Sequence, residues 1–185
     1  HAEPMSQGHD ARLAPVVEAL MRKADVAFAA LDRVAVIVVP GSFTGVRVGV
    51  AFARGLGLSL DIPVVGVTSL EALDALPREG RVLGLLPAKR RPPHRTWWGQ
   101  VVVDGHGEGE PFEAAEAELP ALADKADVMS GGFEDVSDLG VRRVAATPTA
   151  SAAAQFACAL AGDLPAARPA YVREPDATPM KPVGQ

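Results

Sequence analysis

The stretch that decides the fold reads Pro40-Gly41-Ser42-Phe43-Thr44-Gly45-Val46-Arg47-Val48-Gly49. Residues 34–39, which precede it, are all small or β-branched and apolar, and such a run predicts a strand covered on both faces, as in a parallel sheet. Apolar residues continue after the stretch and predict a helix over residues 44–60, followed by a second strand over residues 63–67. A strand, a tight turn, a helix and a strand in this order predict an α/β fold.

The turn at residues 40–45 allows two interpretations. A glycine-containing turn before a helix can hold a phosphate group, because the helix N-terminus attracts anions. However, Gly41 and Gly45 do not have the spacing of the GxxxxGK[ST] motif, no lysine follows them, and GxGxxG is absent. A plain turn is therefore the favoured interpretation, with hydroxyls at Ser42 and Thr44 that cap the helix.

The helix over residues 44–60 carries a small residue at every fourth position, namely Gly45, Gly49, Ala53 and Gly57. Such a face lets another element approach closely, and the resulting contacts can offset the roughly 1 kcal/mol that each glycine costs a helix. The other positions are apolar on more than one side, which indicates burial on more than one side. The pattern fits either a helix sandwiched within one lobe or a helix shared between its own sheet and a partner chain.

The rest of the chain predicts two lobes and a tail. Residues 10–23 have the apolar stripe of a helix, with Asp10 as N-cap and Pro15 inside it, and Thr68-Ser69-Leu70-Glu71 spells a capping box that opens a short helix. Further strands are predicted over residues 81–86, 98–103, 127–130 and 142–146, a loop over residues 105–118, and helices near residues 114–125 and 150–160. We divide the chain into an N-terminal lobe (1–77), a C-terminal lobe (78–164) and an extended tail (165–185).

Composition and charge exclude several classes of protein. The 185 residues are 48% hydrophobic and carry a formal net charge of −5, so the chain can form a core and does not coat nucleic acid through bulk charge. Cys158 is the single cysteine, which excludes disulfides, and we expect it in the core. The four histidines show no metal-ligand spacing, so we expect no metal site. Neither a signal peptide nor a bilayer-spanning segment is visible, which predicts a soluble cytoplasmic protein.

Two long motifs resemble the TsaB (YeaZ) family. Residues 40–49 resemble the family's GPGSFTGLRxG block, and Ile62-Pro63-Val64-Val65-Gly66-Val67-Thr68-Ser69-Leu70-Glu71-Ala72-Leu73 resembles its IPxxGVSSLEAL block. Residues 169–177 resemble the family's C-terminal YLRxPDA motif. The likeness runs from about residue 3 to residue 178 and is strongest between residues 37 and 76.

The resemblance implies an actin-like (ASKHA) fold of two RNase H-like lobes. It also implies a non-catalytic subunit, with no catalytic, cofactor-binding or metal-binding residues of its own, that pairs with TsaD and works with TsaE to transfer a threonylcarbamoyl group to adenosine 37 of tRNA. ATP or ADP would then bind only at the interface of the complex, and the isolated chain would form homodimers. Pairing in the family uses the first two helices, which are here residues 10–23 and 44–60.

The predicted partner interface combines this implication with the stripe of small residues. Its members are Leu13, Val17, Leu20, Val46, Gly49, Val50, Ala53 and Gly57. We expect a neighbouring subunit to approach the two helices along this set, because small side chains permit close packing.

The chain also departs from the family pattern. No strand with an IDTS-like turn precedes His1, so we expect the first strands of the N-terminal lobe and the first phosphate loop to be missing, which would leave residues 34–39 with an unpaired edge. Val39 stands where the family usually has glycine. Residues 87–100 replace a DARRGEVY-like stretch with a longer and more basic loop.

That basic loop is a weaker candidate site for RNA. Lys89, Arg90 and Arg91 lie close in sequence to Trp97 and Trp98, and cations beside indoles are typical of RNA contacts. The alternative is an exposed hairpin tip with both indoles packed into the second lobe. We favour this alternative because tryptophan is usually partly buried.

Two other functions compete with the implied one. A stand-alone actin-like ATPase or a glycoprotease-like hydrolase would need an aspartate near the first phosphate loop with a metal, or paired histidines, and the sequence shows neither. Ser42 and Thr44 also lack a nearby histidine that could act as base. A purely structural dimer is the other competitor, and mixing with a TsaD-type subunit would separate it from the implied function.

Overall fold

The computed structural model describes residues 8–77, 79–89, 95–133 and 136–170. The helices are His9–Ala24 (α1), Phe43–Leu60 (α2), Leu119–Ala123 (α3) and Ala150–Ala159 (α4), and short 3-10 turns span Phe28–Ala30 and Glu116–Glu118. The strands are Val34–Val39 (β1), Val64–Thr68 (β2), Arg81–Lys89 (β3), Thr96–Val103 (β4), His106–Ala115 (β5), Val128–Gly131 (β6) and Arg142–Ala145 (β7). The predicted α/β architecture is confirmed, and β1 has the bounds that its sequence predicts. None of the described helices is long and apolar enough to cross a membrane.

The described strands form two sheets. β1 and β2 pair in parallel, with Val34 opposite Val64 and an irregularity between Ile37 and Val39. The second sheet has the order β5-β4-β3-β6-β7, in which β4 is antiparallel to β3 and β5 while β3, β6 and β7 are parallel. The first sheet is the smaller of the two, and it carries the helix that the sequence singles out.

Helices cover both faces of the first sheet. On one face, Phe156 of α4 packs with Val65 and Val67 of β2. On the other face, Val50 of α2 packs with Val38 of β1. This arrangement seats α2 on the sheet from Val46 to Gly57 and leaves the opposite side of the helix facing away from the sheet.

Elements pack on both faces of β1, as its sequence predicts, but they cover most of the strand incompletely. Residues 34–37 are half-buried, and only Val38 and Val39 are buried. In the part of the chain that the structure describes, β2 is the one strand that pairs with β1. A continuous β-branched run therefore predicted the strand correctly, but it did not predict how completely neighbouring elements cover that strand.

The prediction of a loop over residues 105–118 is also wrong, because β5 occupies most of it. β5 pairs with β4 from Ala115 opposite Thr96 to His106 opposite Val103, with a bulge between Gly99 and Val101. Glycine and glutamate have low strand propensity, and pairing with an adjacent strand overrides that propensity here. The helix predicted near residues 114–125 is correspondingly shorter, since the segment between β5 and β6 holds only a 3-10 turn and the five-residue helix α3.

No helix follows β2, although the capping box is present. The Glu71 carboxylate accepts from the Thr68 N–H at 2.9 Å, and the Thr68 hydroxyl accepts from the Glu71 N–H at 3.0 Å. After one turn, the Asp74 N–H donates to the Thr147 carbonyl at 3.0 Å. The predicted helix is wrong because the Thr147 carbonyl and the Thr149 N–H bond to the Asp74 N–H and the Ala72 carbonyl, two groups that a helix would have paired internally.

Two local predictions about helices need correction. The N-cap of α1 is Gly8, with a left-handed φ of 77°, and not Asp10. Glycine adopts this conformation without steric cost. Cys158 is exposed and not in the core, because α4 turns Ala153 and Phe156 towards the sheet.

The end of the described chain packs back onto the first sheet. α4, which the predicted division counts with the C-terminal lobe, contacts β1 and β2. The Gly66 N–H donates to the Pro165 carbonyl at 2.9 Å, and the Ala170 N–H donates to the Val38 carbonyl at 3.2 Å. The division into lobes stays a prediction, and residues 171–185 of the predicted tail lie outside the described residues.

Candidate interaction surface

Capping and tight packing build the turn between β1 and α2. Ser42 is the N-cap of α2, and its hydroxyl accepts a hydrogen bond from the Gly45 N–H at 3.1 Å. A Cβ on Gly41 would lie 2.8 Å from Val46 Cγ2, and a Cβ on Gly45 would lie 2.6 Å from Ser42 Oγ. The tightness of the turn therefore accounts for both glycines, and the prediction that Ser42 caps the helix is confirmed.

The small-residue side of α2 faces the chain's own sheet. The buried residues of α2 are Val46, Val50, Ala53 and Gly57. A Cβ on Gly57 would lie 2.2 Å from Val64 Cγ2 and 3.0 Å from the Ile62 carbonyl oxygen, and a Cβ on Gly49 would lie 3.6 Å from Val36 Cγ2. The interpretation of this stripe as a surface for a partner's backbone is wrong for Ala53 and Gly57, which are buried against the chain's own sheet, and it stays a prediction for Gly49, which is half-buried.

The predicted interface therefore divides into two groups. Val46, Gly49, Val50, Ala53 and Gly57 lie on the side of α2 that faces the sheet. Leu13, Val17 and Leu20 lie on α1, where the first two are half-buried and Leu20 is 40% exposed. Apart from Gly49, which is half-buried, only this second group lies where another molecule can reach it.

The apolar stripe of α1 is incompletely covered by the chain. None of the described side chains of α1 is buried, and the apolar ones that are half-buried are Leu13, Val16, Val17 and Met21. A groove along the helix is lined by Arg12, Pro15, Val16, Ala19, Leu20 and Lys23. A helix whose apolar side stays partly open to solvent is typical of an interaction surface.

The outward side of α2 adds exposed apolar groups. Phe43 is 40% exposed and Leu58 is 87% exposed. The guanidinium carbon of Arg47 lies 3.8 Å from the centroid of the Phe43 ring, a cation–π contact at the start of the helix. We use the term α1–α2 surface for Leu13, Val17, Leu20 and Phe43.

Hydrogen bonds between side chains and backbone join the two sheets near the end of β2. The Thr68 hydroxyl donates to Gln100 Oε1 at 2.7 Å, and Gln100 Nε2 donates to the Gly109 carbonyl at 3.2 Å. The Glu71 carboxylate, besides capping Thr68, accepts from the Gly107 N–H at 3.2 Å. The capping-box spelling was the only sequence signal for this network, and it gave no indication of Gln100.

Comparison with known proteins identifies the family. A family model described as TsaD: tRNA N6-adenosine threonylcarbamoyltransferase matches residues 2–86. An uncharacterized protein of Mycobacterium tuberculosis (strain ATCC 25618 / H37Rv) is 35% identical over 180 residues, which are 95% of this chain and 80% of that protein. A crystal structure from Pseudomonas aeruginosa, of an uncharacterized protein with similarity to peptidase YEAZ, has a TM-score of 0.69 at 28% identity and covers 94% of this chain and 88% of its own. The chain belongs to the TsaB/YeaZ family.

Membership of the TsaB/YeaZ family confirms the resemblance found in the sequence, and the likeness to YeaZ structures is consistent with the actin-like fold that this resemblance implies. The tRNA threonylcarbamoyladenosine biosynthesis protein TsaB of Bacillus subtilis (strain 168) is 40% identical over 88 residues, which are 46% of this chain. The matched stretch spans 38% of the length of the B. subtilis protein.

In this TsaB/YeaZ chain the candidate RNA residues are only partly described. Lys89 ends β3, and Arg90 and Arg91 lie outside the described residues. Trp97 is 3% exposed and belongs to the core of the second sheet, whereas Trp98 is half-buried. The prediction that the indoles pack into the second lobe is confirmed for Trp97, and RNA binding by the basic loop stays a prediction.

The described part of this chain does not gather its metal-ligating side chains into a cluster. Among the described residues, no group of three or more His, Cys, Asp or Glu side chains could hold a metal ion. The His106 ring lies 6.0 Å from the Phe156 ring, centroid to centroid, at the start of β5. The α1–α2 surface is therefore the candidate site that the geometry favours.

Proposed function

We propose that this chain is a non-catalytic subunit in the synthesis of threonylcarbamoyladenosine at adenosine 37 of tRNA, and that its α1–α2 surface pairs with a TsaD-type subunit. Membership of the TsaB/YeaZ family supports the pathway, because a relative that is 40% identical over the shared stretch is named as a tRNA threonylcarbamoyladenosine biosynthesis protein. The match of residues 2–86 to a TsaD model supports a partner of related fold.

One observation carries this proposal, namely that the described side chains of α1 include none that is buried. An amphipathic helix gains stability in water mainly when its apolar side is covered. Leu20 on α1 and Phe43 on α2 are each 40% exposed. A second helical surface packed on both would remove this apolar area from water, at roughly 25 cal/mol per Å² buried.

A non-catalytic role is supported by how the polar groups are used. The Ser42 hydroxyl, a conceivable nucleophile, caps α2 through the Gly45 N–H. Near the end of β2, where hydrogen bonds join the two sheets, Thr68, Glu71 and Gln100 form hydrogen bonds with one another and with backbone groups of residues 107–109. These groups are already satisfied, so a ligand would have to break existing hydrogen bonds to use them.

The proposal includes the remaining partners of the pathway. A TsaE-type ATPase would act with the assembled pair, and tRNA would reach the chain through the complex. The chain would bring no cofactor of its own, and ATP or ADP would bind where the subunits meet. We place the reaction in the cytoplasm, where tRNA is modified, and we propose that the chain forms homodimers through the same surface when it is isolated.

Mixing the chain with the TsaD-type subunit of the same organism tests the proposal. We expect a one-to-one complex by light scattering after gel filtration, and Leu20→Glu is expected to weaken its affinity by about tenfold or more, since a charge must then be buried in the interface. Val26→Glu is the matched control, because Val26 has the same exposure of 40% but lies outside both helices.

Two results would contradict the proposal. One is the absence of any mixed complex, which would favour a purely structural dimer of this chain. The other is steady ATP hydrolysis by the purified chain with no second subunit, which would restore the ATPase or hydrolase alternative.

A further inference from the structure

A second feature of α2 lies beyond the α1–α2 surface, where the end of the helix meets the last described residues of the chain. There a groove of about 780 Å³ opens between residues 54–58 on one side and residues 166–168 on the other. Ile62 and Val64 form part of its apolar lining. The groove brings together two segments separated by about 110 positions in sequence, so no local pattern could have indicated it.

Two close approaches explain why the groove exists. Gly57 lets α2 pack tightly on β2, since a Cβ there would lie 2.2 Å from Val64 Cγ2. Gly66 lets the chain near residue 166 cross the strand, since a Cβ there would lie 2.5 Å from the Ala166 carbonyl oxygen. The helix and the crossing segment both lie close to the sheet, and an open channel remains between them.

The groove has the chemistry of a site for an acidic and apolar segment. Arg54 and Arg168 both line it, and neither guanidinium makes a hydrogen bond or ion pair with the residues that the structure describes. Leu58 at its edge is 87% exposed, the highest exposure among the large apolar side chains that are described. A Cβ on Gly55 would have no heavy atom within 4 Å, so no described side chain occupies the helix surface beside Leu58.

We propose that this groove receives a short segment of the TsaD-type partner that carries an acidic side chain next to an apolar one. The carboxylate would pair with Arg54 and Arg168, which can bind it through the forked geometry of guanidinium. The apolar side chain would cover Leu58 in the space above Gly55. This inference rests on the proposed function, and it adds a second contact to the helix pairing.

A protein segment fits the groove better than RNA does. The described lining holds two arginines but also the carboxylate of Asp61, so it is not a continuous track of positive charge. It contains no aromatic side chain on which a base could stack. Its remaining lining is mainly aliphatic, glycine or alanine, which suits an apolar side chain and not a sugar-phosphate backbone.

The test measures affinity for the TsaD-type subunit by titration calorimetry at low and at high salt. The double variant Arg54→Glu with Arg168→Glu is expected to raise Kd about tenfold or more and to flatten its salt dependence, because two attractive pairs become repulsive. The control is Lys125→Glu with Arg142→Glu. It changes the net charge by the same amount at two exposed positions far from α2 in sequence, one before β6 and one at the start of β7. Leu58→Ser is expected to raise Kd by a similar factor without changing the salt dependence.

The outcomes separate this inference from the proposed function. If the wild type binds and Leu20→Glu weakens binding, while the double variant and its control have equal Kd, the pairing stands and the groove inference is overturned. If the double variant binds the subunit normally but the assembled complex loses tRNA, the groove contacts RNA and the inference is likewise overturned. If the wild type does not bind the subunit, both proposals fail together.

Discussion

The two sides of α2 contrast sharply although both are apolar in sequence. On the side towards the sheet, Val50 and Ala53 are 2% and 3% exposed. On the opposite side, Phe43 is 40% and Leu58 is 87% exposed. The small residues lie where the helix approaches its own strands, and the large apolar residues lie on the side that the described chain leaves partly or largely exposed.

This difference shows that apolar periodicity alone does not tell which surface belongs to the fold and which to a partner. The stripe of small residues suggested a docking surface, but close packing onto β1 and β2 accounts for it. The conformational free energy that each glycine costs the helix is offset by this packing within the same chain. The surface left for another molecule carries bulky side chains, which supply more buried area per contact.

The largest expected effect tests the side of α2 that faces the sheet. Gly57→Leu should lower the free energy of unfolding by about 3 kcal/mol, because its side chain would be forced into Val64 and the Ile62 carbonyl. Urea unfolding followed by circular dichroism measures this. Gly55→Leu is the control and should leave stability unchanged or raise it by up to about 1 kcal/mol, since its Cβ meets open space. Equal effects at the two glycines would remove the distinction between the two sides.

A cavity on the same side gives the next effect. Val50→Ala should lower the free energy of unfolding by about 2 kcal/mol, from lost burial and the cavity left beside Val38. Val26→Ala, at a valine that is 40% exposed, should cost less than about 0.5 kcal/mol. A cost at Val50 no larger than at Val26 would mean that α2 is not seated on the sheet as described.

The start of α2 gives a smaller effect. Ser42→Ala should lower the free energy of unfolding by about 1 kcal/mol, because the Gly45 N–H loses its side-chain acceptor. Ser59→Ala is the matched control, since the Ser59 hydroxyl lies within α2 and only donates to the Leu56 carbonyl at 2.9 Å. If both serines respond alike, capping does not explain Ser42, and its use in binding becomes the better interpretation.

The smallest expected change in stability is on the outward side. Leu58→Ser should alter the free energy of unfolding by no more than about 0.5 kcal/mol, because Leu58 is 87% exposed. The same variant should weaken binding of the TsaD-type subunit by about tenfold. A large loss of stability with unchanged binding would reverse the assignment of the two sides.

Strong local signals in the sequence predicted several elements correctly. β1 has its predicted bounds, and Thr149 caps α4 close to where the alanine-rich run begins, through a bond from the Ala152 N–H to the Thr149 hydroxyl at 3.1 Å. Such predictions need only information within a few residues. β5 was missed because its glycine- and glutamate-rich sequence has little strand propensity of its own and is ordered by pairing with β4.

The residues of the candidate site also divide into those that the sequence indicated and those that it did not. Leu20 was recognised from the helical periodicity of residues 10–23, whereas Phe43 and Leu58 were not separated from the buried residues of α2. Periodicity identifies apolar sides of a helix but cannot say which side meets a sheet. The groove at Arg54 and Arg168 has no sequence signal, because it arises from a contact between distant segments.

The sequence by itself determined the α/β class, the turn at residues 40–45 and the family, because each depends on short, continuous motifs. Only the tertiary structure decided the role of each side of α2, the strand at residues 106–115 and the absence of a helix after β2. In all three cases, hydrogen bonds or packing with residues far along the chain outweigh local preference. Such contacts follow from the folded arrangement, and a linear pattern does not encode them separately.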